Sequence, residues 1–143
     1  MMTLPKQHIM TNEKLIQKAR QALENAYAPY SNFKVGAALL LKNGEVIIGA
    51  NVENCAYGPT NCAERSALFA AYSQGFRKKD ITKIAVITDT PIAASPCGTC
   101  RQVMSELLEL DCPIVLANLA NTDTKISDIK ELLPYLFVPE NLD

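Results

Sequence analysis

The apolar residues of this chain recur with two spacings, and each spacing predicts a different kind of element. The first group lies at helical spacing and predicts a helix over residues 12–27: Leu15, Ile16, Ala19, Ala22, Leu23 and Ala26. Thr11 or Asn12 can cap this helix, and Pro29 stops it. Two apolar runs follow at 33–41 and 45–54. Because Asn43-Gly44 lies between them, they predict an antiparallel hairpin.

The second half of the chain alternates helical and strand patterns. Residues 61–75 predict a helix that ends at Gly75, and residues 84–88 predict a short buried strand. A further helix follows Ser95-Pro96, with the apolar stripe Val103, Leu107, Leu108 and Leu110. A strand at 114–119 and a short helix at 128–133 complete the pattern. The order strand, helix, strand predicts a parallel pair joined by a crossover.

These elements predict an α/β fold, namely a three-layer α/β/α sandwich around a mixed sheet of about five strands. A chain of 143 residues is long enough for one core without disulfide support. We therefore expect a single domain over residues 1–143, with residues 1–11 as a poorly ordered N-terminal segment that includes His8, the only histidine.

Charge and hydropathy exclude two classes of partner. The chain has 14 basic and 15 acidic residues and a net charge of −1, without the basic excess that phosphate binding needs, so no nucleic-acid partner is expected. Its most apolar stretch, residues 35–41, is far shorter than the roughly 20 residues of a membrane span. The first ten residues lack the apolar segment of a secretory signal, which favours a cytoplasmic location.

The cysteines carry the chemical information. Five of them, an odd number, favour free thiols over a disulfide framework: Cys55, Cys62, Cys97, Cys100 and Cys112. Cys62 opens one predicted helix, while Cys97 and Cys100 open the next, and a helix N-terminus lowers the pKa of a thiol. Three sulfurs with one open position are typical of a catalytic zinc site. Cys55 and Cys112 lack a ligand pattern, so we expect them to pack in or beside the core.

Glu64, two residues after Cys62, is the expected proton carrier beside a zinc-activated water. The pattern Cys-x-Glu followed by Pro-Cys-x-x-Cys is the signature of zinc-dependent nucleobase deaminases. Three thiolates around a divalent cation leave a net charge of −1, which opposes the activation of water. We expect Arg65 to offset this charge by donating to the sulfurs from the shell around the ligands.

The chain closely resembles the small three-cysteine cytidine deaminases, from about residue 15 to residue 141. The resemblance rests on FKVGAAL at 33–39, NVEN at 51–54, NCAERSALF at 61–69, DTPIAASPCGTCRQVMSEL at 89–107 and ELLPYLF at 131–137. It implies a cytidine deaminase-like fold and a homotetramer. The implied reaction is zinc-dependent hydrolysis of cytidine and deoxycytidine to uridine and deoxyuridine in pyrimidine salvage, with one Zn²⁺ per chain.

The resemblance also implies a role for individual residues. Cys62, Cys97 and Cys100 correspond to the zinc ligands, and Glu64 corresponds to the proton shuttle. The residues that correspond to substrate contacts are Phe33 against the pyrimidine, Asn51 and Glu53 at the ribose hydroxyls, the Ala63 backbone at the base carbonyl, and Tyr57 and Phe137 reaching a neighbouring subunit's site. The loop at 58–61 departs from the family, as does Cys55, where alanine is frequent.

Other interpretations stay open at the level of sequence. Cys97-Gly98-Thr99-Cys100 at a helix start is also typical of a thioredoxin-like redox protein, although this leaves Cys62 and Glu64 unexplained. A binding module with a structural zinc would need a fourth ligand. A deaminase of another nucleoside-like substrate is the remaining alternative.

Overall fold

The computed structural model describes residues 10–142. Its helices and strands, in chain order, are α1 Asn12–Leu23, β1 Val35–Leu41, β2 Val46–Ala50, α2 Ala63–Ser73, β3 Ile81–Thr88, α3 Gly98–Leu107, β4 Ile114–Asn118, β5 Thr124–Ser127 and α4 Ile129–Leu132. Two short 3₁₀ helices span Lys78–Asp80 and Pro139–Leu142. The predicted poorly ordered segment spans residues 1–11, of which residues 1–9, with His8, lie outside the described residues, whereas Thr11 is the N-cap residue of α1.

The five strands form one mixed sheet in the order β2-β1-β3-β4-β5. β1 pairs antiparallel with both β2 and β3, and β3 pairs parallel with β4 across the connection that contains α3. The predicted hairpin and the predicted parallel pair are therefore both confirmed. Because β1 runs against β2 and β3, the start of β1 meets the ends of β2 and β3 at one edge of the sheet.

Helices cover both faces of the sheet and make the three predicted layers. α1 packs on one face, where Leu15 and Ala19 meet Ala38 and Ala85 in one buried cluster. The other helices pack on the opposite face, where Leu68, Met104 and Ile129 join Leu39 and Ile84. Every residue of β1 is buried because both layers press on this strand. Among residues 10–142, no helix combines the length and the apolar content that crossing a membrane requires.

Two local predictions need correction. The first helix ends at Leu23 rather than at residue 27, because Tyr27 leaves the helix to exchange backbone hydrogen bonds with the chain after β2: its N–H donates to the Asn51 oxygen, and its oxygen accepts from Glu53 N–H. β5 has no counterpart among the predicted elements. Its sequence TKIS carries little apolar signal because it is an exposed edge strand.

Close backbone packing seats α2 on β2. A Cβ atom built on Gly49 would lie 2.6 Å from the Ala63 oxygen and 2.6 Å from the Ala67 nitrogen. Any side chain at this position would therefore push the first turn of α2 away from the sheet. Since Cys62 precedes that turn and Glu64 lies within it, Gly49 helps to set the position of both side chains.

Replacing Gly49 with alanine should lower the free energy of unfolding by about 1–3 kcal/mol, the usual effect of overpacking. Urea denaturation measures the change. Gly58→Ala is the matched control, because a Cβ at Gly58 would have open space around it. Equal losses in the two variants would contradict the packing role assigned to Gly49.

Candidate active site

Three cysteines meet where α2 and α3 begin. Cys62 is the N-cap residue of α2, Cys97 is the N-cap residue of α3, and Cys100 lies in the first turn of α3. Within the described residues, neither N-cap sulfur bonds to the backbone of its own helix. Both sulfurs can therefore serve another partner, beside two helix ends that carry positive potential.

The sulfur geometry fits a zinc ion. The three Sγ atoms all lie within 4.8 Å of one another, and Cys62 Sγ is 3.8 Å from Cys97 Sγ. Two sulfurs that bind one zinc tetrahedrally at about 2.3 Å lie roughly 3.8 Å apart. This is the only group of three or more potential metal-binding side chains among residues 10–142. The prediction that these three sulfurs come together in a cluster suited to zinc is confirmed.

The thiols of Cys62 and Cys100 differ in pKa because a hydrogen bond joins them. A hydrogen bond from Cys100 lowers the pKa of Cys62 to about 5, and Arg65 contributes further in the same direction. The pKa of Cys100 is raised, first by this hydrogen bond and then by burial. Zinc binds thiolates, so loading of the site releases the remaining thiol protons.

Arg65 lies against the cluster from the first turn of α2. Its Nη2 donates to Cys62 Sγ at 3.2 Å. Its Nε is buried and has no acceptor among the described residues. A half-buried guanidinium with a spare buried donor fits a site that gains negative charge when all three sulfurs are thiolates.

Glu64 is the buried carboxyl group beside the sulfurs. Only 4% of the residue is exposed, yet it forms part of the cavity wall. Burial raises the pKa of Glu64, and the negative charge of Cys62 adds to this effect. This upward shift is in the direction that favours acid–base catalysis by a carboxyl group.

A cavity of about 260 Å³ opens above Glu64, at the sheet edge where β1 starts and β2 and β3 end. Six of the predicted site residues line it: Phe33, Asn51, Glu53, Cys62, Glu64 and Cys97. Its remaining walls are Val35, Thr60, Asn61, Val86, Thr88, Ala94 and Ser95. The cavity size suits a small molecule rather than a polymer.

Asn51 and Glu53 hold backbone in addition to lining the cavity. Asn51 Nδ2 donates to the Phe33 oxygen at 2.7 Å, and Asn51 Oδ1 accepts from Val35 N–H at 2.9 Å. Glu53 Oε1 accepts from the N–H groups of Tyr30 and Ser31. The hydrogen bonds from Ser31 lower the pKa of Glu53, and the bond from the hydroxyl has the largest effect. Sequence reasoning missed these attachments because their partners lie 16–23 residues apart along the chain.

Three of the six predicted substrate contacts lie apart from the cavity wall. Tyr57 is 94% exposed and borders a neighbouring depression, which shares Glu53 and Thr60 with the main cavity. Phe137 is 56% exposed, beyond α4. Ala63 is fully buried, and its first-turn N–H has no intrahelical acceptor.

Arg101 is a residue that sequence reasoning did not select. Its guanidinium donates to the Pro96 oxygen at 2.8 Å, to Ser95 Oγ at 2.7 Å and to the Leu132 oxygen at 2.6 Å. It thereby ties the segment before Cys97 to the end of α4. Its only sequence signal is its position next to Cys100, and that position does not reveal its partners.

The two remaining cysteines differ from each other. Cys112 is buried, as predicted, and burial raises its pKa to about 12. The prediction that Cys55 packs in or beside the core is wrong, because Cys55 lies exposed in the irregular segment between β2 and α2. Neither of them belongs to the sulfur cluster.

Three sulfurs, a buried carboxyl group and a small cavity at the edge of an α/β sheet define a zinc-dependent enzyme that activates water. Comparison with known proteins identifies the family. The family model for the cytidine and deoxycytidylate deaminase zinc-binding region matches residues 9–114. This chain belongs to that zinc-dependent cytidine deaminase family.

Individual relatives agree over nearly the whole chain. A cytidine deaminase of Halalkalibacterium halodurans is 52% identical over 94% of this chain and 99% of its own length. A second, of Sporosarcina psychrophila, is 47% identical over 93% of this chain and 96% of its own length. The crystal structure of a Burkholderia pseudomallei cytidine deaminase is 49% identical, covers 90% of this chain and 100% of its own, and has a TM-score of 0.86. These relatives exclude the thioredoxin-like interpretation.

Arg65→Ala should weaken zinc binding by about 10–100-fold, the usual effect of losing a partner of a metal ligand. The reason is that Cys62 Sγ loses its donor and the cluster loses a neighbouring positive charge. Competition with a chromophoric chelator measures the affinity. Lys79→Ala removes the same charge at an exposed position and serves as the control. Unchanged zinc affinity in Arg65→Ala would contradict the charge-offset argument.

Proposed function

We propose that this protein hydrolyses cytidine and deoxycytidine to uridine and deoxyuridine with release of ammonia, as a step of pyrimidine salvage. Cys62, Cys97 and Cys100 would hold one zinc ion per chain, and Glu64 would move the protons. The observation that carries this proposal is the burial of Glu64 in the wall of the same cavity as the sulfurs. The relatives at about half identity support the same substrate class.

Hydrolytic deamination adds the elements of water to carbon 4 of the pyrimidine and removes its amino group as ammonia. Zinc, when bound, supplies an acidified water molecule. Glu64 accepts a proton from water on its carboxylate oxygen and passes it to ring nitrogen 3. It then takes the proton of the new hydroxyl on carbon 4 and gives it to the amino group, which leaves as ammonia while the carbonyl of the product forms. One carboxyl group can serve each transfer because burial raises its pKa and so favours its protonated form between the transfers.

Residues other than the zinc ligands and Glu64 would recognise the substrate. Phe33 offers a ring against which the pyrimidine can pack, and the Ala63 N–H can donate to the base carbonyl. Asn51 and Glu53 can bind ribose hydroxyls, since an ionised carboxylate only accepts hydrogen bonds and a hydroxyl can donate one. The negative charge of Glu53 at the wall also disfavours a nucleotide with a phosphate near it.

We propose that the active protein is a homotetramer in which Tyr57 and Phe137 reach the site of a neighbouring subunit. Both rings are largely exposed in the single chain, and Tyr57 lies beside the substrate cavity. Gln102 Nε2 holds the backbone oxygen of Phe137 at 3.5 Å. Exposed aromatic residues of this kind are enriched at the centres of interfaces.

We assign this activity to the cytoplasm. All five cysteines are free, and the chemistry requires three of them as thiolates. Reducing compartments such as the cytoplasm keep cysteines free of disulfides, so that they stay available as metal ligands.

Glu64→Gln should bind zinc normally but lose about 10²–10⁴-fold in kcat, because an amide cannot accept the proton. The fall in ultraviolet absorbance as cytidine becomes uridine measures turnover, and metal analysis measures zinc. Glu24→Gln makes the same change at an exposed position and should be fully active. Near-normal turnover in Glu64→Gln would refute the mechanism.

Phe137→Ala should raise KM for cytidine by about 10-fold or more while zinc stays near one per chain, because truncated interface aromatics typically cost ~2 kcal/mol or more. Steady-state kinetics and light scattering provide the two measurements. Ile126→Ala removes an exposed apolar side chain from edge strand β5 and is the control. A fully active monomer would rule out a shared site.

A further inference from the structure

A hydrogen-bonded turn attaches Phe33 to Glu53, and Ser31 is its centre. Ser31 contributes three bonds: its N–H donates to Glu53 Oε1 at 3.1 Å, its hydroxyl donates to Glu53 Oε2, and its Oγ accepts from Phe33 N–H at 3.0 Å. Tyr30 N–H donates to the same Oε1 at 3.0 Å. One serine therefore bonds both to the Glu53 carboxylate and to the backbone of Phe33, two residues that line the cavity.

The turn leaves Glu53 with little freedom. A carboxylate has about four acceptor positions. Two backbone N–H groups occupy Oε1 and the Ser31 hydroxyl occupies one position on Oε2. About one position is left for a donor in the cavity. The Ser31 hydroxyl is the only side-chain donor to this carboxylate among residues 10–142, so it alone holds Oε2 in orientation.

Phe33 does not depend on Ser31 to the same degree. Its backbone oxygen accepts from Asn51 Nδ2 at 2.7 Å. The N–H of Val35, the first residue of β1, donates to Asn51 Oδ1 at 2.9 Å. Asn51 is buried, so this attachment is well shielded from water. Loss of the Ser31 hydroxyl would therefore leave Oε2 without a donor, with the carboxylate held only through the two N–H groups at Oε1, while Phe33 keeps its bond to Asn51.

From this geometry we infer that Ser31 is a positioning residue for sugar recognition: its hydroxyl holds Glu53 Oε2 so that the remaining acceptor position faces a ribose hydroxyl. The inference rests on the proposed function, in which Glu53 binds the ribose. Ser31 acts through Glu53 and has no part in the proton transfers at Glu64.

A pair of substrates separates this role from a general effect on the fold. Cytidine presents hydroxyls at ribose positions 2′ and 3′, whereas 2′,3′-dideoxycytidine lacks both of these and keeps the 5′ hydroxyl and the same base. Ser31→Ala should lose on the order of 10-fold in kcat/KM for cytidine, mostly through KM, because it loses a hydrogen bond to a charged group. It should change kcat/KM for dideoxycytidine by less than about 3-fold, since zinc, Glu64 and the ring anchor stay in place.

Two further variants complete the experiment. Ser31→Thr keeps the hydroxyl and should restore the preference for cytidine. The preference is the ratio of kcat/KM for cytidine to kcat/KM for dideoxycytidine. The double variant Ser31→Ala/Glu53→Gln should show no lower ratio than Glu53→Gln alone, because the effects of residues that act as a unit are not additive. Ser73→Ala, at an exposed serine at the end of α2, is the control, and zinc content and thermal unfolding are measured for every variant.

The outcomes distinguish the inference from the function on which it rests. Equal losses on both substrates in Ser31→Ala, or additive losses in the double variant, would overturn the positioning role while leaving the deaminase activity intact. A wild-type protein that does not discriminate between the two substrates would refute the sugar-binding role of Glu53 and the inference with it. Should Ser31→Ala fail to fold, a Ser31→Thr variant that has lost the preference for cytidine would overturn the inference.

Discussion

The convergence of two helix starts over one edge of the sheet is the constraint on which this site depends. The three sulfurs come within 4.8 Å only because α2 and α3 both begin beside the ends of β2 and β3. Gly49 lets α2 approach β2 until its backbone touches the strand. Arg101 holds the segment before Cys97 against the end of α4. The two halves of the cluster thus depend on separate packing contacts.

Charge is the second constraint at this edge. Three sulfurs, of which only that of Cys100 belongs to a buried residue, lie close to the buried Glu64 carboxyl group, and one donor, Arg65 Nη2, reaches Cys62 directly. The helix N-termini add positive potential without adding a side chain. Burial then raises the pKa of Glu64, because the same desolvation that makes charges costly disfavours its ionised form.

The opposite wall of the cavity follows a different principle. Polar side chains on the segment after β2 reach back to the turn before β1, where Asn51 holds the backbone around Phe33 and Glu53 holds Ser31. These bonds replace the regular ladder where the strands end. They tie a wall of irregular backbone to the end of the sheet, so that it can present a ring and a carboxylate to a small substrate.

The sequence by itself determined the class of fold, the zinc-binding sulfurs and the enzyme family. Apolar periodicity, an Asn-Gly turn and Cys-x-Glu with Pro-Cys-x-x-Cys are local signals, and local spacing dictates which side chains share a helix start. The tertiary structure decided the end of α1, the edge strand β5, the exposure of Cys55 and the attachments made by Ser31 and Arg101. Each of these depends on groups that are distant along the chain, or on which surface the fold leaves open to water, and no local pattern encodes either. Tyr27 leaves its helix only because Asn51 and Glu53 offer backbone partners there, and those partners exist only once the sheet has formed.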